Sequence, residues 1–495
     1  MNNLKLYWGD IHNHNEVGVG KGSLERSYSI AQSSLDFYAF TPHGWWADMP
    51  DNDPRVGDYH LAGFAKVKEQ WDLVVDRANT ANQDDRFTAL IAYEWHSSGW
   101  GDYCVYFPGD TGELYYAADV EELQRFAADR AALMMPHHCA YRQGWRGTNW
   151  NNFEQGLSPT AEIFSEHGNS LEPESHFGMY RHSMGGSSRT QAVLEQLKGG
   201  RILGFTAGTD DHFGYPGCYG EGLTGLYAEN LTRDGVTQAI RRRHTYGVTG
   251  DRIGLSFSSG DAIMGDVLSS SARRAFEVDV RGMDELDYVE LVKNGRSVIK
   301  WTPEVKEMGA LKVVRVEWGW DGMLSQEITR WCISIKAENC ELLEGMPCFC
   351  GGPHVTEKEN TVRRIERSGI EIISHTCRSN FNPTHSIVLT LRAGEEGRLG
   401  IGMKGEWGSR DFNRNVSVGM NELVGADIGV DIQPVFSSPK LKIHACQPEG
   451  ALRLTEQWED PEPGEQDFYF VKVLQRNGHM AWSSPIWFLE NHDDR

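Results

Sequence analysis

Leu4-Lys5-Leu6-Tyr7-Trp8-Gly9-Asp10-Ile11-His12-Asn13-His14 is a short apolar run that stops at a His-x-His, and it opens a series that decides how the first half of the chain is read. In an extended segment residues i and i+2 point to the same side, so His12 and His14 can offer two imidazoles to one ion where the strand ends. The pattern then recurs. Leu35 to Thr41 runs into Pro42-His43-Gly44, and Phe87 to Tyr93 into Glu94-Trp95-His96. Ala132 to Met135 runs into Pro136-His137-His138, Thr160 to Ser165 into Glu166-His167-Gly168, and Ile202 to Ala207 into Gly208-Thr209-Asp210-Asp211-His212. Between these runs lie helical patterns over Ser23 to Ser34 with Ser23 as cap, Tyr59 to Ala81, Val120 to Ala131, Ser187 to Gly199 and Arg233 to Arg243.

Strand alternating with helix over about 250 residues predicts a parallel α/β sheet or barrel, whose sites form at the carboxyl ends of the strands. Six strand ends, each carrying His, Asp or Glu, would then meet at one mouth. Imidazole and carboxylate ligands suit Zn, Mn, Fe or Ni, and a carboxylate such as Glu94 can bridge two ions roughly 3.5 to 4 Å apart.

Gly9-Asp10-Ile11-His12-Asn13-His14, Phe40-Thr41-Pro42-His43, Tyr93-Glu94-Trp95-His96, Met135-Pro136-His137-His138 and Gly208-Thr209-Asp210-Asp211-His212 resemble the ordered motifs of the PHP (polymerase and histidinol phosphatase) superfamily. Tyr93 to Ser97, Pro136-His137-His138, Leu231-Thr232-Arg233 and Thr249 to Ile253 are similar to its uncharacterised DUF3604 branch. The resemblance covers residues 1 to about 260. It implies a distorted (β/α)7 barrel holding two or three divalent ions, Zn or Mn with Fe as a further option, and phosphoester hydrolysis. It further implies that His12, His14, Glu94 and Asp210 hold one ion. A second takes Glu94 as bridge with His137 or His138 and His167, and a third takes His43 and His212. Two departures bear on that third position: Val17-Gly18-Val19-Gly20 stands where an Asp or His follows the first motif, and Pro42 precedes His43 where an Asp is usual. Loss of an acidic ligand there would leave His43 and His212 as a weaker ligand pair, or free one of them to act as general acid on a leaving group, with Glu94 as the remaining catalytic candidate. His96 is a ligand, a support for one, or a substrate contact.

Lys21, Arg142, Arg146, Arg181 and His182 lie in loops near the ligand segments and could bind phosphate or carboxylate, or be merely solvated. Trp45, Trp46, Trp100, Trp145 and Trp150 crowd the same loops, either as a wall around an organic moiety or as packing. Twelve of the 18 histidines precede residue 250, which places the chemistry in the first half. The second half shows alternating strand patterns with Asn294-Gly295 and Asn477-Gly478 as hairpin signals, and reads as an all-β sandwich. The expected division is a barrel over 1–255 and a sandwich over 256–495, the latter buttressing the barrel or, in a sharper reading, binding carbohydrate.

The formal charge of −22 argues against nucleic acid as partner. The chain goes straight from Met1 into its first strand, so no signal peptide is expected, and no apolar run is long enough to span a membrane. Nine irregularly spaced cysteines suggest reduced thiols in a cytoplasmic protein, although Cys332, Cys340, Cys348, Cys350 and Cys377 cluster enough to raise a second, structural metal site. The reading is a metal-dependent hydrolase of a small-molecule phosphoester. The same centre could attack an amide, lactone or carboxylic ester, and the rival from another class is a decayed metal-dependent carbohydrate-binding or scaffolding protein.

Overall fold

Strand β1 (Lys5–Asp10) lies between β10 (Leu223–Ala228), which it pairs antiparallel, and β2 (Phe37–Phe40), which it pairs in parallel. The computed structural model describes residues 3–51, 54–179, 184–304, 309–321, 327–365, 368–433 and 438–490. From β2 the sheet continues in parallel to β4 (Thr88–His96), which also carries β3 (His43–Trp46) on its far end, then antiparallel to β5 (Tyr103–Phe107) and β6 (Leu133–Pro136). Strands β7 (Thr160–Ser165) and β9 (Gly204–Ala207) pair in parallel in a separate small sheet with β8 (Gly168–Asn169), while β11 (Thr245–Val248) joins β10 antiparallel.

The helices follow the amphipathic pattern that places them. In α1 (Leu24–Ser34) Leu24, Ser27, Tyr28 and Ala31 are buried, and the Ser23 hydroxyl accepts the Arg26 amide as cap. Helix α2 (Pro54–Ala81) begins five residues before the expected Tyr59, because Pro54 is suited to the first helical position, where its missing N–H costs nothing. Helices α3 (Val120–Asp129) and α5 (Arg233–Arg241) are capped by Asp119 and Thr232. The expected helix over Ser187 to Gly199 is broken: a short 3-10 turn at Arg189–Gln191 precedes α4 (Val193–Lys198), since Ala192 takes an extended ψ of 140°.

The molecule is thus mixed α/β and strand-rich, but its sheet is not purely parallel and its hydrogen-bonded path does not close into a barrel among the described residues. A parallel neighbour needs a crossover of a dozen residues or more. The link from β4 to β5, Ser97 to Asp102, is too short for one, so β5 turns back antiparallel.

After α5 the described residues hold strands and one 3-10 turn. Met480–Ser483 pairs with β11, Tyr246 opposite Ser483, so strands from the end of the chain extend the first-half sheet across residue 255. Leu286–Lys293 turns into Arg296–Trp301 through Asn294 and Gly295, both at positive φ (50° and 75°), as a tight hairpin requires. A four-stranded sheet built on Gly254–Ser259, Ala275–Arg281 and Arg453–Glu459 packs its buried face on this extension: the Phe276 ring lies 4.6 Å from Tyr469 and 5.9 Å from Phe488. A nine-stranded sheet is organised by the long strands Thr329–Cys348 and Thr384–Trp407 around Trp318 and Trp331. Among the described residues the nine cysteines form no disulfide.

Candidate metal centre

Beyond β1 the chain stays extended and is stitched to the segment after β9. The His14 amide donates to the Asp211 carbonyl (2.9 Å) and the Asp210 amide to the His12 carbonyl (2.8 Å). Asp10 secures this junction. Its carboxylate accepts from the Thr209 hydroxyl (2.6 Å) and from the amides of Thr209 and Gly217, while burial raises its carboxyl to about 6. On the other side, the parallel register of β3 and β4 sets His43 opposite Glu94 and Trp46 opposite His96. Two strand ends far apart in sequence therefore deliver their side chains to one buried point.

Glu94 lies at that point. Its Oε2 faces Nε2 of His43 (3.2 Å), His14 (3.5 Å) and His12 (3.6 Å), and its Oε1 faces Nε2 of His137 (2.8 Å) and Nδ1 of His96 (3.1 Å). Asp210 divides in the same way: Oδ1 faces His14 (2.9 Å) and His12 (3.4 Å), and Oδ2 faces His167 (3.1 Å). Several compact groups result, each with its candidate ligand atoms within 4.8 Å of one another: His12, His14 and Asp210; His14, His43 and His212; His43, Glu94 and His96; Asp102, His137 and His138; and His12, Cys104 and His137.

The donor set fits a cation. His12 Nε2, His137 Nε2 and Glu94 Oε2 are buried and, among the described residues, have no hydrogen-bond partner despite these short separations. Their lone pairs are aimed at shared space, as ligand atoms are, and not along hydrogen bonds. Charge balance points the same way. Glu94, Asp102, Glu162 and Asp210 are all at most 3 % exposed, and among the described residues Arg146 is the non-histidine cation that pairs with them, through Glu94 and Asp102. Burial alone would raise Glu94, but the imidazoles of His96, His43 and His137 hold it well below the carboxylate range. Asp210 is held down likewise by His12, His14 and His167. Burial pushes His14 and His138 down to about 3 and His43 well below its usual value, leaving neutral rings fit to be ligands. These carboxylates otherwise lean on His12 and His137, which rise well above the ordinary value against burial, chiefly through Asp210 for His12 and Glu94 for His137.

A ring of supporting groups orients the ligands. Glu162, in the middle of β7, sits 2.9 Å from His12 Nδ1, which fixes the proton there and frees Nε2. A Cβ at Gly208 would lie 2.6 Å from the His12 Cβ and 2.7 Å from Glu162 Oε2, so glycine is what lets the three segments meet. The Tyr141 hydroxyl bonds His167 Nδ1 (2.8 Å). Asp102 gathers His96 (3.1 Å), His138 (3.3 Å) and Arg146, whose Nε lies 2.6 Å away. Sequence reasoning did not single out Glu162, Asp102 or Tyr141. The available signal for Glu162 was a lone carboxylate inside an apolar strand. His138, Arg146 and Asp210 all have positive φ (34°, 68° and 56°), backbone strain of the kind held at functional sites.

The other candidates fall in different places. His137 faces Glu94, whereas His138 faces Asp102. His212 stacks on His14 at 4.3 Å and its Nδ1 lies 2.8 Å from the Asp210 carbonyl and 3.6 Å from Glu166. Lys21 is exposed at the rim, its amide on the His212 carbonyl (2.8 Å). Arg142 is exposed, but Arg146 is turned inward and ties His96 to Asp102. Trp46 flanks the centre, its ring 5.9 Å from His96, whereas Trp45 packs on Phe64 and Tyr116, the Trp150 indole donates to the Gln191 carbonyl as packing and Trp145 is half exposed. Arg181 and His182 lie outside the described residues.

The family model described as "Protein of unknown function (DUF3604)" matches residues 149–279, in agreement with the resemblance carried by the motifs. An uncharacterized protein of Chlamydia pneumoniae is 24 % identical over 324 residues, covering 60 % of this chain and 49 % of its own length. One of Chlamydia trachomatis serovar D is 23 % identical over 325 residues, covering 58 % and 48 %. The chain spans about half the length of these curated relatives. A solved two-domain protein from Bacteroides vulgatus, described as containing a predicted PHP-like metal-dependent phosphoesterase, is similar at a TM-score of 0.35 and 11 % identity, over 84 % of this chain and 96 % of that one.

Proposed function

We propose that the protein is a metal-dependent hydrolase that uses two or three divalent ions, Zn or Mn or else Fe, to cleave a phosphoester of a small organic molecule. One observation carries the reading: Glu94 presents its two oxygens to His12, His14 and His43 on one side and His137 on the other, and its Oε2 and the Nε2 atoms of His12 and His137 have no hydrogen-bond partner among the described residues. His12, His14, Glu94 and Asp210 would hold one ion, Glu94 with His137 and His167 a second, and His43 with His212 the position whose filling is least supported by acids. Bound divalent ions would supply Lewis-acid chemistry, activating water and neutralising charge on the phosphoryl group.

The chain's own residues do the rest. Glu162 and Tyr141 fix the ring orientations of His12 and His167. Arg146 keeps a positive charge 3.8 Å from Glu94, and Lys21 stands at the rim; both favour an anionic substrate. His212 is the most open of the site imidazoles, its side chain 30 % exposed, and is placed to pass a proton to a leaving group. A small-molecule partner, no nucleic acid and a cytoplasmic location belong to the same proposal, as does the division into a distorted (β/α)7 catalytic unit over 1–255 and a β-sandwich unit over 256–495. The described residues contain no helix long and apolar enough to cross a membrane.

The test is elemental analysis of purified protein beside turnover of phosphoester, carboxylester, lactone and amide substrates with added Mn or Zn. Two or more ions per chain and phosphoester turnover abolished by Asp210→Ala in a folded variant are expected. Turnover confined to carbonyl substrates would keep the centre and change the reaction. Metal without turnover would favour the binding or scaffolding rival, and no metal at all would overturn the reading.

A further inference from the structure

The corner of the site beyond His43 holds ring nitrogens with nothing to bond. Trp46 Nε1, His60 Nδ1 and His96 Nε2 are buried and lack any hydrogen-bond partner among the described residues. The β3–β4 register lays Trp46 beside His96, ring centroids 5.9 Å apart, and α2 brings His60 edge-on to Trp46 (5.3 Å, 88°) and parallel to His43 (6.0 Å, 12°). Arg146 occupies Nδ1 of His96 at 2.8 Å, on the side of Asp102 and Glu94, which leaves Nε2 on the far edge of that ring. The Arg146 guanidinium also lies 5.0 Å from the Trp46 ring, so the corner carries positive charge.

A buried polar nitrogen left unsatisfied is costly, and three gathered in one place need a common explanation. An indole N–H can only donate, so the missing partner is an acceptor, and beside a guanidinium the acceptor is favoured as an anion. Neither Trp46 nor His60 belongs to the compact ligand groups above. We infer that Trp46, His60 and His96 form an oxyanion subsite beside the metal centre that receives a phosphoryl group's terminal oxygen. The inference rests on the hydrolase reading for its substrate class, a phosphomonoester, whose phosphoryl group has an oxygen to spare beyond those a metal centre engages.

The experiment is calorimetric titration of inorganic phosphate into metal-loaded and metal-stripped protein, for wild type, Trp46→Phe and His60→Phe. Metal content and unfolding midpoint are measured on each. The loss of one hydrogen bond to a charged group predicts phosphate affinity about tenfold weaker or more in each variant, with metal content unchanged. Should Trp46→Phe fail to fold, His60→Phe on the partly exposed face of α2 carries the test. Unchanged affinity in folded, fully loaded variants would overturn the subsite, as would loaded wild type that binds no phosphate. Protein that takes no metal yet binds phosphate through Trp46 and His60 would keep the subsite and remove the hydrolase reading.

Discussion

His12 Nδ1 lies 2.9 Å from Glu162 Oε2, across 150 positions of sequence, and both side chains are fully buried. The pair holds the imidazole in the tautomer and orientation that turn Nε2 toward Glu94 and Asp210. Removing such a partner typically costs about 10–100-fold in metal affinity. Glu162→Gln is accordingly expected to bind Mn or Zn that much more weakly in a competition titration while keeping its fold. Equal affinity would show that Glu162 only fills space.

Because the centre concentrates buried carboxylates and imidazoles, an ion that binds the folded chain must stabilise it. At free metal about 100 times its dissociation constant the gain is about 2.7 kcal/mol for one site. Thermal unfolding is expected to move up by several degrees with added Zn or Mn and to fall on chelation. Asp210→Ala should flatten that response, and a metal-independent midpoint in wild type would count against the site.

The strand-end histidines could be read from sequence because their signal is local: His12 and His14 obey the two-residue period of a strand, and each later ligand follows an apolar run. Glu162 could not, since a single carboxylate within Thr160–Ser165 acquires meaning only from His12, which reaches it through tertiary structure. His60 was hidden for a related reason. With α2 expected to begin at Tyr59, nothing fixed its first turn, whereas the helix that starts at Pro54 carries His60 onto His43. The pairing of Tyr246 with Ser483 spans most of the second half, and no periodicity in either strand announces it. The antiparallel β5 was in principle legible from the short link Ser97 to Asp102.

Arg146 and Asp102 form the inner ion pair of the site, with Asp102 fully buried and the Arg146 side chain 16 % exposed. Breaking a buried pair from one side leaves the other charge uncompensated, at about 3–5 kcal/mol. Arg146→Met is expected to lower stability by an amount in that range in urea unfolding. Adding Asp102→Asn should recover part of the loss, because the orphaned charge goes with it. Strict additivity of the two changes would mean that the pair is not coupled.

Asp251 carries the clearest pH dependence outside the metal centre. Arg315 Nη2 lies 3.0 Å from each of its oxygens, Gln475 and Asn477 each donate to Oδ2 at 2.7 Å, and the Tyr219 hydroxyl donates to Oδ1 at 2.8 Å. Burial opposes ionisation, but Arg315, His479 and Asn477 hold the carboxyl well below its ordinary value. A depressed folded-state pKa means that the ionised form is favoured by folding. Its contribution is therefore fully present above the unfolded value of about 3.9 and is lost as pH falls from there toward the folded value. Asp251→Asn leaves Arg315 buried without its counter-charge, so at pH 7 the variant should be less stable by about 3–5 kcal/mol. Urea midpoints followed from pH 7 down to pH 3 should show the gap between wild type and variant constant at first and narrowing only in the acid range. A gap that stays constant to pH 3 would mean the pair's stability does not depend on that proton, and one that opens on acidification would reverse the sign of the argument.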